Sequence, residues 1–126
     1  MAPHDGTGAR RSVRTGIAAE WLAVARLTLK GCRILSWRFG GKGGEIGLIA
    51  RCRALIVFVE VKACAAIDDA ALAITPDKIR LMTWWINDWR SCNAWAEGHR
   101  LRADAVLVGQ GRWPRHVVNA FPLDVT

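Results

Sequence analysis

Gly44-Glu45-Ile46-Gly47-Leu48-Ile49-Ala50, followed by Leu55-Ile56-Val57-Phe58-Val59-Glu60-Val61-Lys62, is the stretch that decides the fold. Both runs are apolar and β-branched, and the polar Arg51-Cys52-Arg53-Ala54 between them reads as the turn of a β-hairpin. Glu60 and Lys62 lie two residues apart inside an apolar strand, so the period of two puts both on one face. Glu45 and Gly47 share a face of the partner strand for the same reason. A register pairing Gly47 with Phe58 sets Glu45 opposite Glu60, and like charges directly opposite are destabilising. Such a pair calls for a cation, either Lys62 or a bound divalent metal.

Upstream, Gly16 to Leu29 has a helical pattern, with Thr15 as N-cap and Gly31 as the left-handed C-terminal cap. Ile17, Trp21, Val24 (or Ala25) and Leu29 form its expected apolar stripe, and Glu20 sits in its first turns, where the helix dipole favours an acid. Cys32 to Arg38 reads as a first strand. Phe39 to Gly44 is a glycine-rich connection, without the Gly-Lys-Ser/Thr and following helix of a phosphate-binding loop.

Downstream, Ala63 to Ala73 reads as an alanine-rich loop carrying Asp68 and Asp69. Thr75-Pro76-Asp77 is a helix start, with an N-cap hydroxyl, a proline at the first helical position and an acid in the first turn. Ile79, Met82, Ile86 and Trp89 mark the apolar stripe of a helix expected to reach about Trp95, widened by Trp84, Trp85 and Trp95. A tryptophan stripe at that spacing reads first as core, and only then as a base-stacking platform. Ala103–Val108 and His116–Val118 complete the strands. The order is helix, three strands, helix, two strands. It predicts an α/β fold with a mixed five-stranded sheet, whose first three strands are antiparallel neighbours and whose long helix crosses over to the fourth.

The 126 residues fit one domain at 16–126 behind a basic, flexible tail at 1–15. No apolar run approaches a membrane span of roughly 20 residues, and the polar N-terminus does not read as a signal peptide. The expected setting is the cytoplasm, with Cys32, Cys52, Cys64 and Cys92 as reduced thiols, lacking zinc-ligand spacing or a neighbouring histidine. The net charge of +7 fits a polyanionic partner such as nucleic acid, and the scatter of the basic residues suits phosphate contacts better than base readout.

A Glu-x-Lys on a strand beside another carboxylate has a chemical logic. Two carboxylates hold Mg²⁺ through oxygen ligands, the metal polarises a phosphate and activates water, and the lysine offsets developing charge. The same hairpin, Gly44-Glu45-Ile46 with Leu48-Ile49-Ala50 and Val57 to Lys62, resembles the signature of the YraN family of uncharacterised bacterial proteins. Ala19-Glu20, Gly31 to Leu35, Ile74-Thr75-Pro76 with Lys78, Arg102 to Val106, and His116 with Asn119-Ala120-Phe121 extend the resemblance over nearly all of the chain after the tail.

That family is similar to restriction-endonuclease-like proteins of the PD-(D/E)xK fold and to Holliday-junction resolvases. The resemblance therefore implies nucleic-acid binding, DNA first, and metal-dependent phosphodiester cleavage with Mg²⁺ or Mn²⁺. It also implies a homodimer, for which the exposed tryptophans are the candidate surface. By position, Glu60 and Lys62 are the candidate catalytic residues, and Glu60, Glu45 and Glu20 the candidate metal ligands. Arg38, Lys42, Lys78 and Arg80 are the candidate nucleic-acid contacts.

One position departs. The family carries an aspartate directly after Gly-Glu-Ile, where this chain has Gly47, so the first metal ligand is missing. Glu45 could take over that role, or Asp68 or Asp69 could reach the site, leaving an active endonuclease. Otherwise the fold survives as a nucleic-acid binder with impaired catalysis. A structural or protein-interaction module is the third reading.

Overall fold

The computed structural model describes residues 18–38, 46–64, 75–109 and 113–123. Its elements are helix α1 (18–29), strands β1 (Arg33–Arg38), β2 (Ile46–Cys52) and β3 (Leu55–Cys64), helix α2 (Pro76–Cys92), a 3-10 turn at Ala94–Ala96, and strands β4 (Arg100–Gly109) and β5 (Arg115–Phe121). The five strands form one sheet in the order β1-β2-β3-β4-β5. All neighbours pair antiparallel except β3 and β4, which run parallel. A parallel pair needs a crossover, and α2 lies in it, so the architecture is the one anticipated above.

The helices cover opposite faces. On one face Ala19, Ala23 and Leu27 of α1 pack on Leu48, Ala50, Val57, Val59, Val61, Val106 and Val108. On the other, Met82, Trp85 and Ile86 of α2 pack on Ile49, Ile56, Phe58, Ala103 and Ala105. The alternation along β3 shows why the strand is nearly all apolar: both of its faces are buried.

Of the apolar stripe expected on α1, Val24 packs on the core, Trp21 and Leu29 do not, and Ile17, like the N-cap Thr15, lies outside the described residues. The helix's buried face runs through Ala19, Ala23 and Leu27, whereas Trp21 and Leu29 of the expected stripe are 58% and 71% exposed. The i, i+4, i+8 alanine-rich row lets the helix approach the sheet closely, which an indole at that spacing would prevent. Gly31 caps the helix as expected. At φ 89° it accompanies Cys32 N–H donating to Leu27 O and Gly31 N–H donating to Thr28 O, the pair of bonds that closes a helix through a left-handed residue.

Helix α2 begins as its sequence indicates, with Thr75 Oγ1 accepting from Lys78 N–H at 3.2 Å and Pro76 behind it. It stops at Cys92, short of Trp95, because Asn93 N–H and the Asn93 side chain turn back onto the carbonyls of Arg90 and Trp89.

The thiols are not all reduced. Cys32 and Cys52 form a disulfide, with Cα atoms 4.3 Å apart. Their spacing in sequence is uninformative; the register Arg33↔Arg51 makes them the next cross-strand pair. Cys92 is free and exposed.

Candidate metal and nucleic-acid site

The β2–β3 register differs from the anticipated one by two residues. Gly47 stands opposite Glu60, and Ile49 opposite Phe58. A ladder sets register by packing one face, and here Ile49, Ile56 and Phe58 are drawn together beneath α2. Glu45 is outside the described residues, as are Lys42, Asp68 and Asp69.

Glu60 is 8% exposed and shares the α2 face with Phe58. Its Oε1 lies 3.6 Å from Lys78 Nζ, which reaches over from the first turn of α2. Lys62 follows two residues on along the same face and is half-buried. Arg80, one turn beyond Asp77, is exposed and ion-paired to it. Of Arg38 the backbone is placed, in register with Gly47. The site thus gathers Glu60, Lys62, Lys78 and the backbone of Gly47 and Arg38 at one end of the hairpin.

Glu20 is not brought there. It is buried on α1, the helix on the other face of the sheet, and burial pushes its carboxyl pKa up.

The space beside Gly47, where the resemblance leads one to expect a ligand side chain, is filled. A Cβ added to Gly47 would stand 2.9 Å from both Cζ2 and Cζ3 of Trp85 and nearer still to Cη2. Glycine in a strand interior marks a close approach, and here the approaching group is an indole. Trp85 is held in turn by an edge-to-face contact with Phe58, centroids 5.6 Å apart. Among the described residues no group of three metal-ligating side chains converges. Glu60 stands opposite a glycine and beside a lysine, and the described residues alone do not supply the several oxygen ligands in octahedral geometry that Mg²⁺ asks for.

A third buried carboxylate was not singled out from sequence, although Arg102 to Val106 and His116 to Phe121 were matched. Asp104 is fully buried on the α1 side of β4. Arg102 Nε and Nη2 donate to its two oxygens at 2.8 Å each, His116 Nε2 lies 2.7 Å from Oδ2, and Asn119 N–H donates to Oδ1 at 2.8 Å. Burial raises the carboxyl pKa, but the bonds from His116, Arg102 and Asn119 outweigh it and the value is lowered. The carboxylate therefore accepts from His116 Nε2–H, leaving Nδ1 to accept from Lys30 Nζ at 2.8 Å. Asn119 adopts φ 55° where the β4–β5 register shifts between Ala103 and Ala105. The β5 bulge turns an amide onto the acid in place of the ladder. A charge inside an apolar strand was the signal at Glu60, and it applied equally to Asp104.

Residues 19–108 match the model of the uncharacterised protein family UPF0102. The chain belongs to that family. This is the YraN family indicated by the hairpin motif. A UPF0102 protein of Methylobacterium nodulans is 46% identical over 127 residues, covering 98% of each chain. One from Methylorubrum extorquens is 46% identical over 126 residues, again with 98% of each chain covered. A third, from Bradyrhizobium diazoefficiens, is 45% identical over 108 residues, spanning 86% of this chain and 81% of its own.

Within UPF0102, then, this chain joins two buried acids on opposite faces of one sheet. No described helix is long and apolar enough to cross a membrane.

Proposed function

We propose that this UPF0102 protein is a nucleic-acid-binding protein of restriction-endonuclease-like fold, acting on DNA, in which phosphodiester cleavage is impaired. The observation that carries the loss of catalysis is Gly47 opposite Glu60 with the Trp85 ring in the space a ligand side chain would need. Without that ligand, Glu60 is left to pair with Lys78, and no cleavage step through Mg²⁺ or Mn²⁺ follows from the described residues. The net charge of +7 supports a polyanionic partner. Lys78 and Arg80 on α2 are the described contacts in this reading, with Arg38 just before the glycine-rich stretch and Lys42 within it.

The proposed setting is the cytoplasm. That compartment is reducing, so the Cys32–Cys52 bond is expected to open there, while the backbone ladder keeps β1 and β2 paired. A homodimer belongs to the same proposal: β1 is an edge strand, and exposed Trp37 on it meets exposed Trp21 edge-to-face at 5.5 Å.

Salt dependence tests the binding claim. The affinity for duplex or junction DNA should fall steeply and linearly on a log–log plot against salt, with a slope of about −0.9 per phosphate neutralised. Weak binding that is insensitive to salt would defeat it and favour a protein-interaction module.

A further inference from the structure

At the end of the sheet where the β2–β3 hairpin turns lies an open cleft of about 1150 Å³. Lys30, Arg53, His99, Arg100, Arg102 and Asn119 line it, and no acid is among its lining residues. We propose that this cleft is a binding site for a phosphate group, with the Arg102 guanidinium as its fixed donor and Arg53 and Arg100 as flanking cations.

Three observations carry the assignment. The Arg102 fork is pinned by two bonds to the fully buried Asp104. It is thus held in one orientation, with remaining N–H groups to offer, and little is lost in ordering it around an anion. Asp104, which His116 and Asn119 also engage, compensates the Arg102 charge, so the net positive charge of the cleft is that of Lys30, Arg53 and Arg100.

The backbone is also unusual at this one place. Among the described residues the positive-φ positions are Gly31 (89°), Arg53 (62°), Gly98 (88°) and Asn119 (55°), and all four line the cleft. Gly31 serves as a helix cap, but Arg53 occupies a hairpin-turn position that glycine would fill without strain. Keeping arginine there places a guanidinium at the rim. Strained non-glycine backbone of this sort concentrates at binding sites.

Finally, the cations are in excess. Partial burial and the neighbouring Arg26 hold the Lys30 ammonium below its ordinary pKa; Asp104 opposes this and Arg102 adds to it. A bound phosphate would relieve that crowding. The cleft is distinct from the Glu60 site, and its assignment does not depend on the DNA reading.

The test uses Arg53→Gly/Arg100→Ser, which removes two exposed guanidinium groups and replaces a left-handed arginine with the residue best suited to it, so folding should be preserved. Inorganic phosphate is titrated into ¹⁵N-labelled protein at constant ionic strength. Shifts should be confined to the amides of Arg53, Gly98 and Asn119 and the Arg102 Nε–H. Affinity should weaken roughly tenfold in the double variant. Absent shifts, shifts spread over the whole surface, or unchanged affinity in the variant would overturn the site. A single-stranded oligonucleotide run in parallel identifies the source of the phosphate. If its binding weakens with that of phosphate, the cleft takes a nucleic-acid backbone; if it does not, the cleft takes a small phosphorylated molecule. Should native protein bind phosphate here but no DNA at all, the proposed function fails and this site stands.

Discussion

Glu60 and Asp104 are both buried acids on the two parallel central strands, yet they are built in opposite ways. Asp104 accepts four hydrogen bonds at 2.7–2.8 Å from Arg102, His116 and the Asn119 amide, and its pKa is lowered. Glu60 stands opposite Gly47, and its Oε1 lies 3.6 Å from Lys78 Nζ. The first is a structural knot that ties β4 to β5 and fixes an arginine. The second sits at one end of the β2–β3 hairpin, two residues from Lys62 on the same face and beside Lys78 of α2. Burial alone does not tell these apart; their places in the fold do.

The largest effect should come from breaking the knot. Asp104→Asn leaves the Arg102 charge uncompensated and should cost about 3–5 kcal/mol in denaturant unfolding. The pH profile has a definite sign. Because the folded pKa is lowered, the contribution is fully present above the unfolded value of about 3.9 and is lost as pH falls through the folded one. The gap between native and Asp104→Asn should thus be flat above pH ~4 and narrow below it. A gap that widened in acid would contradict the assignment.

Next comes the filled ligand position. Gly47→Asp drives a side chain into the Trp85 ring and should destabilise by about 1–3 kcal/mol. In a Trp85→Ala background the same change should cost less, giving a coupling of about 1–3 kcal/mol in a double-mutant cycle. Additive effects would mean that the indole does not occupy the missing ligand's place.

The smallest effect is at Glu20. Its folded pKa is raised by burial, so ionisation opposes folding and stability falls as pH rises through the interval above the ordinary value of 4.5. Glu20→Gln should therefore raise Tm at pH 7 by roughly 1–3 °C, and the gain should vanish below about pH 4.5. A loss of stability at pH 7 would show that Glu20 has an ionic role.

The strand order, the α2 start at Thr75-Pro76 and the Gly31 cap were legible in sequence, because each rests on local chemistry that one short segment contains. The side chains that meet across the fold were not. Nothing in the spacing of Gly47 and Trp85 says that they touch; contact depends on a register two residues from the one that the charges suggested. The Cys32–Cys52 bond escaped for the same reason, being a product of strand pairing. The α1 stripe was misread because large residues were weighed above the alanines that allow close packing. Glu60, Lys62 and Gly47 were singled out by motif, and the structure gathers them at one end of the hairpin. What the motif could not show was that a tryptophan from the crossover helix packs against Gly47.

The most direct measurement is cleavage of junction DNA with Mg²⁺ or Mn²⁺ by the native chain beside Glu60→Ala. The account predicts that the native protein binds the junction and leaves it intact, so that the two proteins are indistinguishable in product formation. Metal-dependent cleavage by the native chain that disappears in Glu60→Ala would contradict it.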